Sequence, residues 1–239
     1  MKGLIIATQF LTRLPTPKVS VSEQEFAASI RWFPAVGILI GLIIAAAGWA
    51  GAHIDAWLGA IAVIAAWVLV TGGLHLDGLA DIADASGAAH KDRARLLAVL
   101  ADPHIGSFGV IAVNLQLIAK IVLVHTIIVH GLMSSLIVVP FAARIAPLVW
   151  ARSIPALHDG LGARFGAAVR LRDLIVWALV LLVAAWFFHA LLVLIPAVVL
   201  WRTWILRRIG GISGDGHGGG IELIETVLLL AITMEGLKL

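Results

Sequence analysis

Three aspartates follow a long apolar run at a spacing that suits metal chemistry. Asp77, Asp81 and Asp84 lie at i, i+4 and i+7, so an α-helix would carry all three carboxylates on one face. Like charges this close repel each other, and a hard cation such as Mg²⁺, which prefers carboxylate oxygens and often bridges them to phosphates, would compensate them. The alternative is a solvated acidic helix face. His75, beside the cluster, is a candidate metal ligand or general base, although an isolated histidine is more often structural.

Further acidic residues lie in later polar segments and extend the predicted metal site. Asp215 and Glu222 are seven residues apart, so a helix would place them on one face as well. Carboxylates that hold a metal beside arginine side chains form sites for phosphoryl or nucleotidyl transfer, in which catalysis is mainly positioning and charge stabilisation. His75, Asp77 and Asp81 are the predicted catalytic residues. The predicted metal ligands are Asp77, Asp81, Asp84, Asp102, Asp215 and Glu222.

Basic residues and a glycine-rich segment supply the predicted substrate contacts. Lys120 and Arg144 interrupt apolar stretches, where a cation costs about 2.5–3.5 kcal/mol on insertion scales, so we expect both to face the bundle interior. They either contact a substrate anion or pair with an acid or a carbonyl. Residues 207–220 contain seven glycines, which predicts a loop that wraps an anion or a bulky ligand. The predicted substrate-binding residues are Arg13, Lys120, Arg144, Arg152, Gly214 and Gly218.

The composition identifies the class of protein that must position these residues. Of 239 residues, 61% are hydrophobic and 13% are charged, which is typical of an integral membrane protein rather than a soluble domain. The absence of cysteine excludes disulfides and thiolate sites. With a net charge of +3 and no dense basic run, nothing indicates a nucleic-acid partner.

The hydropathy pattern predicts one all-α membrane domain over residues 1–239, with about seven spans and six as the alternative. An interfacial or re-entrant helix precedes the first span, because Pro15 and Pro17 end a short apolar segment. Gly37 and Gly41 form a small-residue step for close helix packing. The predicted spans are 34–52, 56–74, 109–129, 134–151, two within 174–206 that break near His189, and 221–237.

The distribution of basic residues predicts the orientation of these spans. In the seven-span arrangement, the N-terminal segment and the polar loops 75–108, 152–173 and 207–220 share one side, and they hold nearly all the lysines and arginines. By the positive-inside rule, this side is the cytoplasm. The three loops would then form a single active-site mouth, whereas six spans would place the third loop on the opposite side.

Four sequence segments carry a resemblance to a known family. They are Phe10–Pro15 (FLTRLP), Phe33–Gly37 (FPAVG), Gly73–Asp81 (GLHLDGLAD) and Gly210–Asp215 (GGISGD), and Asp102–Gly106 (DPHIG) also fits. In order and spacing the chain resembles the cobalamin synthase family, the adenosylcobinamide-GDP ribazoletransferases. It departs from that pattern at Ser213, where threonine is expected, and at the pairs Ala85-Ser86 and Gly216-His217.

The resemblance implies a specific reaction at the cytoplasmic face of the inner membrane. A hydroxyl of α-ribazole, or of its 5′-phosphate, would attack adenosylcobinamide-GDP at the phosphorus attached to the cobinamide and release GMP. The resemblance further implies Mg²⁺ as cofactor and contact with membrane lipids. It leaves open a homo-oligomer or an association with other enzymes of cobamide assembly.

Two other functions fit part of the pattern. A CDP-alcohol-phosphotransferase-like enzyme also uses metal-bound carboxylates, but its D-x-x-D-G-x-x-A-R segment and the acidic segment that follows are not present. A small-solute transporter would explain the charges within the spans, and it would predict internal repeats and broken helices near the membrane centre. The acids of this chain instead concentrate beside one interface.

Overall fold

The computed structural model describes residues 1–88, 93–158 and 164–238, and in this part of the chain it contains helices and no β-strand. This confirms the all-α fold. The α-helices are α1 Lys2–Leu11, α2 Glu23–Ser29, α3 Phe33–Ala52, α4 Ala56–Thr71, α5 Leu74–Ala88, α6 Arg93–Leu100, α7 Ser107–Val129, α8 Ser135–Ala143, α9 Ala146–Ser153, α10 Phe165–Ala168, α11 Leu171–Phe187, α12 Leu194–Arg208 and α13 Gly214–Gly236. Short 3₁₀ segments, Ile30–Trp32 and His189–Val193, precede α3 and α12.

Several of these helices are long and apolar enough to cross a membrane, which confirms a polytopic membrane protein. In the part of the chain that the structure describes, length and composition give five such segments, or six if the pair α4 and α5, bent by 86°, is one broken span. Among the described residues the count agrees with the predicted alternative of six and not with seven, because α4 and α11, with 16 and 17 residues, are each too short to count alone. The five segments are Glu23–Ala52, Ser107–Val129, Ser135–Ser153, His189–Arg208 and Gly214–Gly236.

Glycines bring α3 into backbone contact with α8, as the small-residue step predicts. A Cβ atom on Gly37 would lie 2.5 Å from the carbonyl oxygen of Pro140, and one on Gly41 would meet the backbone of Ile137. These distances are too short for any side chain larger than that of glycine, so the backbones of the two helices are in direct contact here.

The N-terminal segment forms the short helix α1, which ends well before Pro15 and is too short to span a membrane. Its Phe10 ring contacts the rings of Phe26, Phe33 and Phe165, so α1, α2, α3 and α10 share one aromatic cluster. After α1, the backbone N–H of Arg13 donates a 2.7 Å hydrogen bond to a carbonyl near the end of α4, that of Val70.

Two segments that we expected to be polar loops are largely helical, so that part of the prediction is wrong. Residues 75–108 contain α5 and α6, and Gly72 and Gly73, with φ angles of 63° and 71°, turn the chain from α4 into α5. The glycine-rich segment becomes helix from Gly214 onward, because the hydroxyl of Ser213 caps α13 by accepting a bond from the N–H of Gly216. The predicted break near His189 is confirmed, since α11 ends at Phe187.

Candidate active site

The glycines of α13 and α5 let these two helices touch through their backbones. A Cβ atom on Gly78 would lie 2.9 Å from both the Cα and the carbonyl oxygen of Asp215. A Cβ on Gly219 would lie 3.2 Å from the Cα of Leu79, and one on Gly218 would lie 3.4 Å from that of His75. From Gly214 onward the glycine-rich segment therefore serves helix packing instead of forming the predicted ligand-binding loop.

This contact brings carboxylates from distant parts of the sequence together. Asp77 is exposed at the protein surface, and Asp81 and Asp215 are each partly buried. The charge of Asp81 interacts with those of Asp215, Asp77 and Asp84, and the charge of Asp215 interacts with that of Asp77. The result is a concentrated negative charge where α5 crosses the N-terminus of α13.

His158 and Ser213, neither of them a predicted site residue, also lie close to Asp215. Residues 155–157 pair with Ile212: Leu157 N–H donates to the Ile212 carbonyl over 3.0 Å, and Ile212 N–H donates to Pro155 over 2.9 Å. This pairing brings the charge of the neighbouring His158 close enough to interact with Asp215. The Ser213 hydroxyl is 3.3 Å from Asp215 Oδ2. Serine followed by glycine and aspartate is a helix N-terminus signal, and it could have identified Ser213.

Asp84 and Asp102, both predicted metal ligands, are engaged in local contacts. The Asp84 carboxylate accepts hydrogen bonds from the N–H groups of Gly106, at 2.7 Å, and Gly109, at 2.9 Å, and so caps the start of α7. Asp102 is exposed, and the hydrogen bonds that it accepts from the side chain and the backbone N–H of His104 lower the pKa of its carboxyl group. Of these two residues, Asp84 is the one whose charge acts on Asp81.

Lys120 and Arg144 pair with carboxylates inside the bundle, which is one of the two arrangements that the sequence left open. Lys120 Nζ lies 2.6 Å from both Glu222 Oε2 and Glu225 Oε2, and Arg144 Nη1 lies 2.8 Å from Glu225 Oε1. Gln116 also donates to Glu222 over 3.0 Å. Two cations thus balance two carboxylates among buried side chains. Glu222, a predicted metal ligand, belongs to this network.

His75 lies beside this buried network rather than at the surface next to Asp77. Its side chain is 3% exposed, and Arg144 Nη2 lies 3.3 Å from its Nδ1 atom. Its Nε2 atom is buried without a hydrogen-bond partner in the described part of the chain. His75 therefore connects the ion-pair network to the first turn of α5, which carries Asp77.

The remaining predicted substrate-binding residues lie at the protein surface near the ends of helices. The Arg13 side chain packs over Gly72 at the turn that leads into α5. Arg152 donates a 2.9 Å hydrogen bond to the Val169 carbonyl. At the start of α13, a Cβ atom on Gly214 would meet no other atom within 4 Å, so this position faces open space.

The chemistry of this cluster suits a hard cation, although the described residues include no group of three or more His, Cys, Asp or Glu side chains already arranged as a metal site. Asp77, Asp81 and Asp215 present carboxylate oxygens, which Mg²⁺ prefers, and their mutual repulsion favours the binding of a cation. A bound cation with remaining coordination positions would attract a phosphate-bearing ligand to the N-terminus of α13. The arrangement therefore suits phosphoryl transfer.

Comparison with known proteins confirms the resemblance seen in the motifs. A model of the family described as cobalamin-5-phosphate synthase matches residues 3–233. An adenosylcobinamide-GDP ribazoletransferase of Novosphingobium aromaticivorans is 60% identical, over 99% of this chain and 98% of the relative. A relative with the same name from Thiobacillus denitrificans is 46% identical, over 96% of this chain and 94% of the relative. Another from Laribacter hongkongensis is 48% identical, over 100% of both chains. No solved structure matches. The chain belongs to the cobalamin-5-phosphate synthase family.

Proposed function

We propose that this protein is an adenosylcobinamide-GDP ribazoletransferase of the cytoplasmic membrane. The observation that carries the proposal is the meeting of Asp77 and Asp81 with Asp215, because it joins two of the family-like segments at one site. The relatives bearing this name align over nearly the whole chain, so the proposal concerns the chain as a whole. It takes adenosylcobinamide-GDP and α-ribazole, or its 5′-phosphate, as substrates.

The proposed reaction is a single displacement at phosphorus. The α-ribazole hydroxyl oxygen attacks the phosphorus attached to the cobinamide, and the bond from that phosphorus to the oxygen shared with GMP breaks. The hydroxyl proton passes to solvent water, and GMP departs with the electron pair of the broken bond. Negative charge increases on the diphosphate during this step. The site must therefore supply positive charge, which its carboxylates cannot provide.

Asp77, Asp81 and Asp215 are the residues that would hold Mg²⁺ at this site. When bound, the ion would polarise the diphosphate and stabilise the charge on the leaving phosphate. The contact between Gly78 and Asp215 sets the distance between Asp215 on α13 and the two aspartates on α5. The N–H group of Gly214, at the open start of α13, and the Arg13 side chain at the α4–α5 turn would bind phosphate oxygens.

The proposed orientation places this site at the cytoplasmic side. One end of the bundle carries the carboxylates. This end also contains the turn after α4, the residues before α7, the pairing of residues 155–157 with Ile212 and the start of α13. We call this the site end. It is also the end at which Arg207 and Arg208 close α12, as the positive-inside rule requires of a cytoplasmic face.

A GMP-release assay tests the proposal directly. Detergent-solubilised protein is incubated with adenosylcobinamide-GDP, α-ribazole and Mg²⁺, and GMP and the joined cobamide are quantified. We expect the two products in equal amounts, and none without α-ribazole. Release of GMP without formation of the cobamide would contradict the proposed transfer.

A further inference from the structure

A large apolar groove lies behind the carboxylate cluster, on the opposite face of α5. It has a volume of about 840 Å³ and is bounded by α5, α7, α12 and α13. Leu79, Ile82 and Ala83 of α5 line its inner wall, and on a helix these positions face away from Asp77 and Asp81. The groove is therefore separate from the proposed active site, although both share α5 and α13.

The groove opens sideways between helices that are long enough to span the membrane. Ile111 and Leu115 of α7 and Leu200 of α12 line it, and they remain 55%, 62% and 70% exposed. Both helices belong to candidate spans. Side chains exposed on such helices contact the hydrocarbon of the bilayer, so the opening faces lipid rather than water.

The site end of the groove is basic and aromatic. Arg208, in the last turn of α12, lines the groove, and the guanidinium group of Arg93 packs against Gly210, two residues further along the chain. Within the described ranges, neither arginine has a carboxylate partner. Trp201 and Trp204, whose rings stack with centroids 5.0 Å apart, also line the groove, and tryptophan is typical of headgroup depth.

We infer that this groove binds one anionic phospholipid of the surrounding membrane, with its phosphate at Arg208 and Arg93 and an acyl chain along α7 and α13. The apolar lining offers an acyl chain the contacts that it needs, and the two arginines match an anionic headgroup. Cobinamide is a poor match, because the carboxamides around its ring would lose their hydrogen bonds to water against these apolar walls. The inference does not depend on the proposed function.

A lipid in this groove would stabilise the packing of α5 against α13, which positions the carboxylates of the proposed active site. The groove wall includes Gly220 and Ile224 of α13 and Leu79 of α5, next to the backbone contacts that hold Asp215 against Gly78. An acyl chain would fill the volume beside this helix pair and limit its separation. Bound lipid should therefore stabilise the purified protein against thermal unfolding.

Titration of the purified, delipidated full-length protein with phosphatidylglycerol tests the inference, and phosphatidylcholine with the same acyl chains is the neutral comparison. Binding is followed by native mass spectrometry and by the thermal midpoint. We expect one phosphatidylglycerol to bind more tightly than phosphatidylcholine. Arg208→Gln should weaken phosphatidylglycerol about fivefold, the effect of one basic residue near an anionic surface, and leave phosphatidylcholine unchanged.

Two control variants separate this site from general attraction to the membrane. Arg207→Gln removes the same charge from the neighbouring residue, which does not line the groove, and should have little effect. Ala197→Trp fills the groove and should weaken both lipids, whereas Ile195→Trp, on an exposed part of α12 outside the groove, should not. Equal affinity for the two lipids, equal effects of the two arginine variants, or displacement of lipid by adenosylcobinamide-GDP would overturn the inference.

Discussion

At the residue scale, the carboxylates of Asp77, Asp81 and Asp215 gain their significance from how close they are to one another. Each has a surface position or partial exposure that would be unremarkable for a single aspartate. The charge of Asp215 interacts with those of Asp77 and Asp81 only because α5 crosses α13 at Gly78. We propose that this repulsion is relieved by Mg²⁺, which makes the binding of metal the property to measure.

We therefore expect Asp81→Asn and Asp77→Asn to raise the Mg²⁺ concentration needed for half-maximal GMP release by at least about tenfold, since even outer-shell metal contacts contribute this much. Asp215→Asn should behave in the same way. Asp55→Asn is the matched control, because Asp55 caps the start of α4 and asparagine caps a helix equally well. Near-normal turnover and Mg²⁺ dependence in a variant with two of the three acids neutralised would rule out the metal site.

Residues of the buried ion-pair network have a different role, which is to maintain the fold. Glu225 is fully buried and contacts both Lys120 and Arg144. Glu225→Gln leaves two cations with one carboxylate, and breaking a buried pair typically costs about 3–5 kcal/mol. We expect a marked fall in the thermal midpoint of the purified protein.

The control for this prediction lies on the same helix. Glu235 pairs with His189 near the end of α13 and is partly exposed, and such exposed pairs contribute only about 0–1 kcal/mol. Glu235→Gln should therefore shift the midpoint much less than Glu225→Gln. If both variants shifted it equally, the buried network would not stabilise the bundle as described.

At the element scale, the crossing of α5 and α13 determines the geometry of the site. The clash at Gly78 would involve the Asp215 backbone, which cannot rotate away as a flexible side chain can. Gly78→Ala should thus push the helices apart and separate Asp215 from Asp81. Overpacking of this kind costs about 1–3 kcal/mol, and a displacement of about 1 Å at a reactive site can cost about a hundredfold in rate.

The measurement for Gly78→Ala is turnover together with the thermal midpoint. Gly214→Ala is the comparison for the midpoint, because it adds the same methyl group near the same crossing where no atom lies within 4 Å. We expect Gly214→Ala to leave the midpoint unchanged. Full turnover and an unchanged midpoint for Gly78→Ala would show that the helices tolerate separation.

At the scale of the whole molecule, contacts distinguish the two ends of the bundle. At the site end, Asp84 caps α7 and residues 155–157 pair with Ile212. At the other end, His189 contacts Glu235, and Trp57 stacks on His125 with ring centroids 3.7 Å apart. The proposed topology places the site end in the cytoplasm.

The absence of cysteine from the chain makes this topology testable by labelling. Ile105→Cys lies at the site end, and Ile54→Cys lies at the other, at positions 56% and 79% exposed. In intact cells, an impermeant maleimide should label Ile54→Cys, and it should label Ile105→Cys only after the inner membrane is permeabilised. The reverse pattern would place the site outside the cytoplasm.

The sequence by itself determined the features that depend on neighbouring residues or on a continuous motif. Apolar runs predicted most of the membrane helices, the overlong run predicted the break at His189, and the step of Gly37 and Gly41 predicted a close helix contact. The motifs around Asp77 and Asp215 indicated the family, which the comparisons confirmed. Each of these signals lies within one segment, where periodicity and residue size are sufficient.

Only the tertiary structure decided which segments meet, because pairing across the bundle leaves no local pattern. Lys120 pairs with Glu222, 102 residues away, and the sequence could not choose between that carboxylate and a substrate anion. The glycines from Gly214 onward suggested a ligand-binding loop, yet they form a helix whose backbone packs directly on α5. A glycine has no Cβ, so it suits a loop and a close helix crossing equally well, and only the neighbouring helix distinguishes the two.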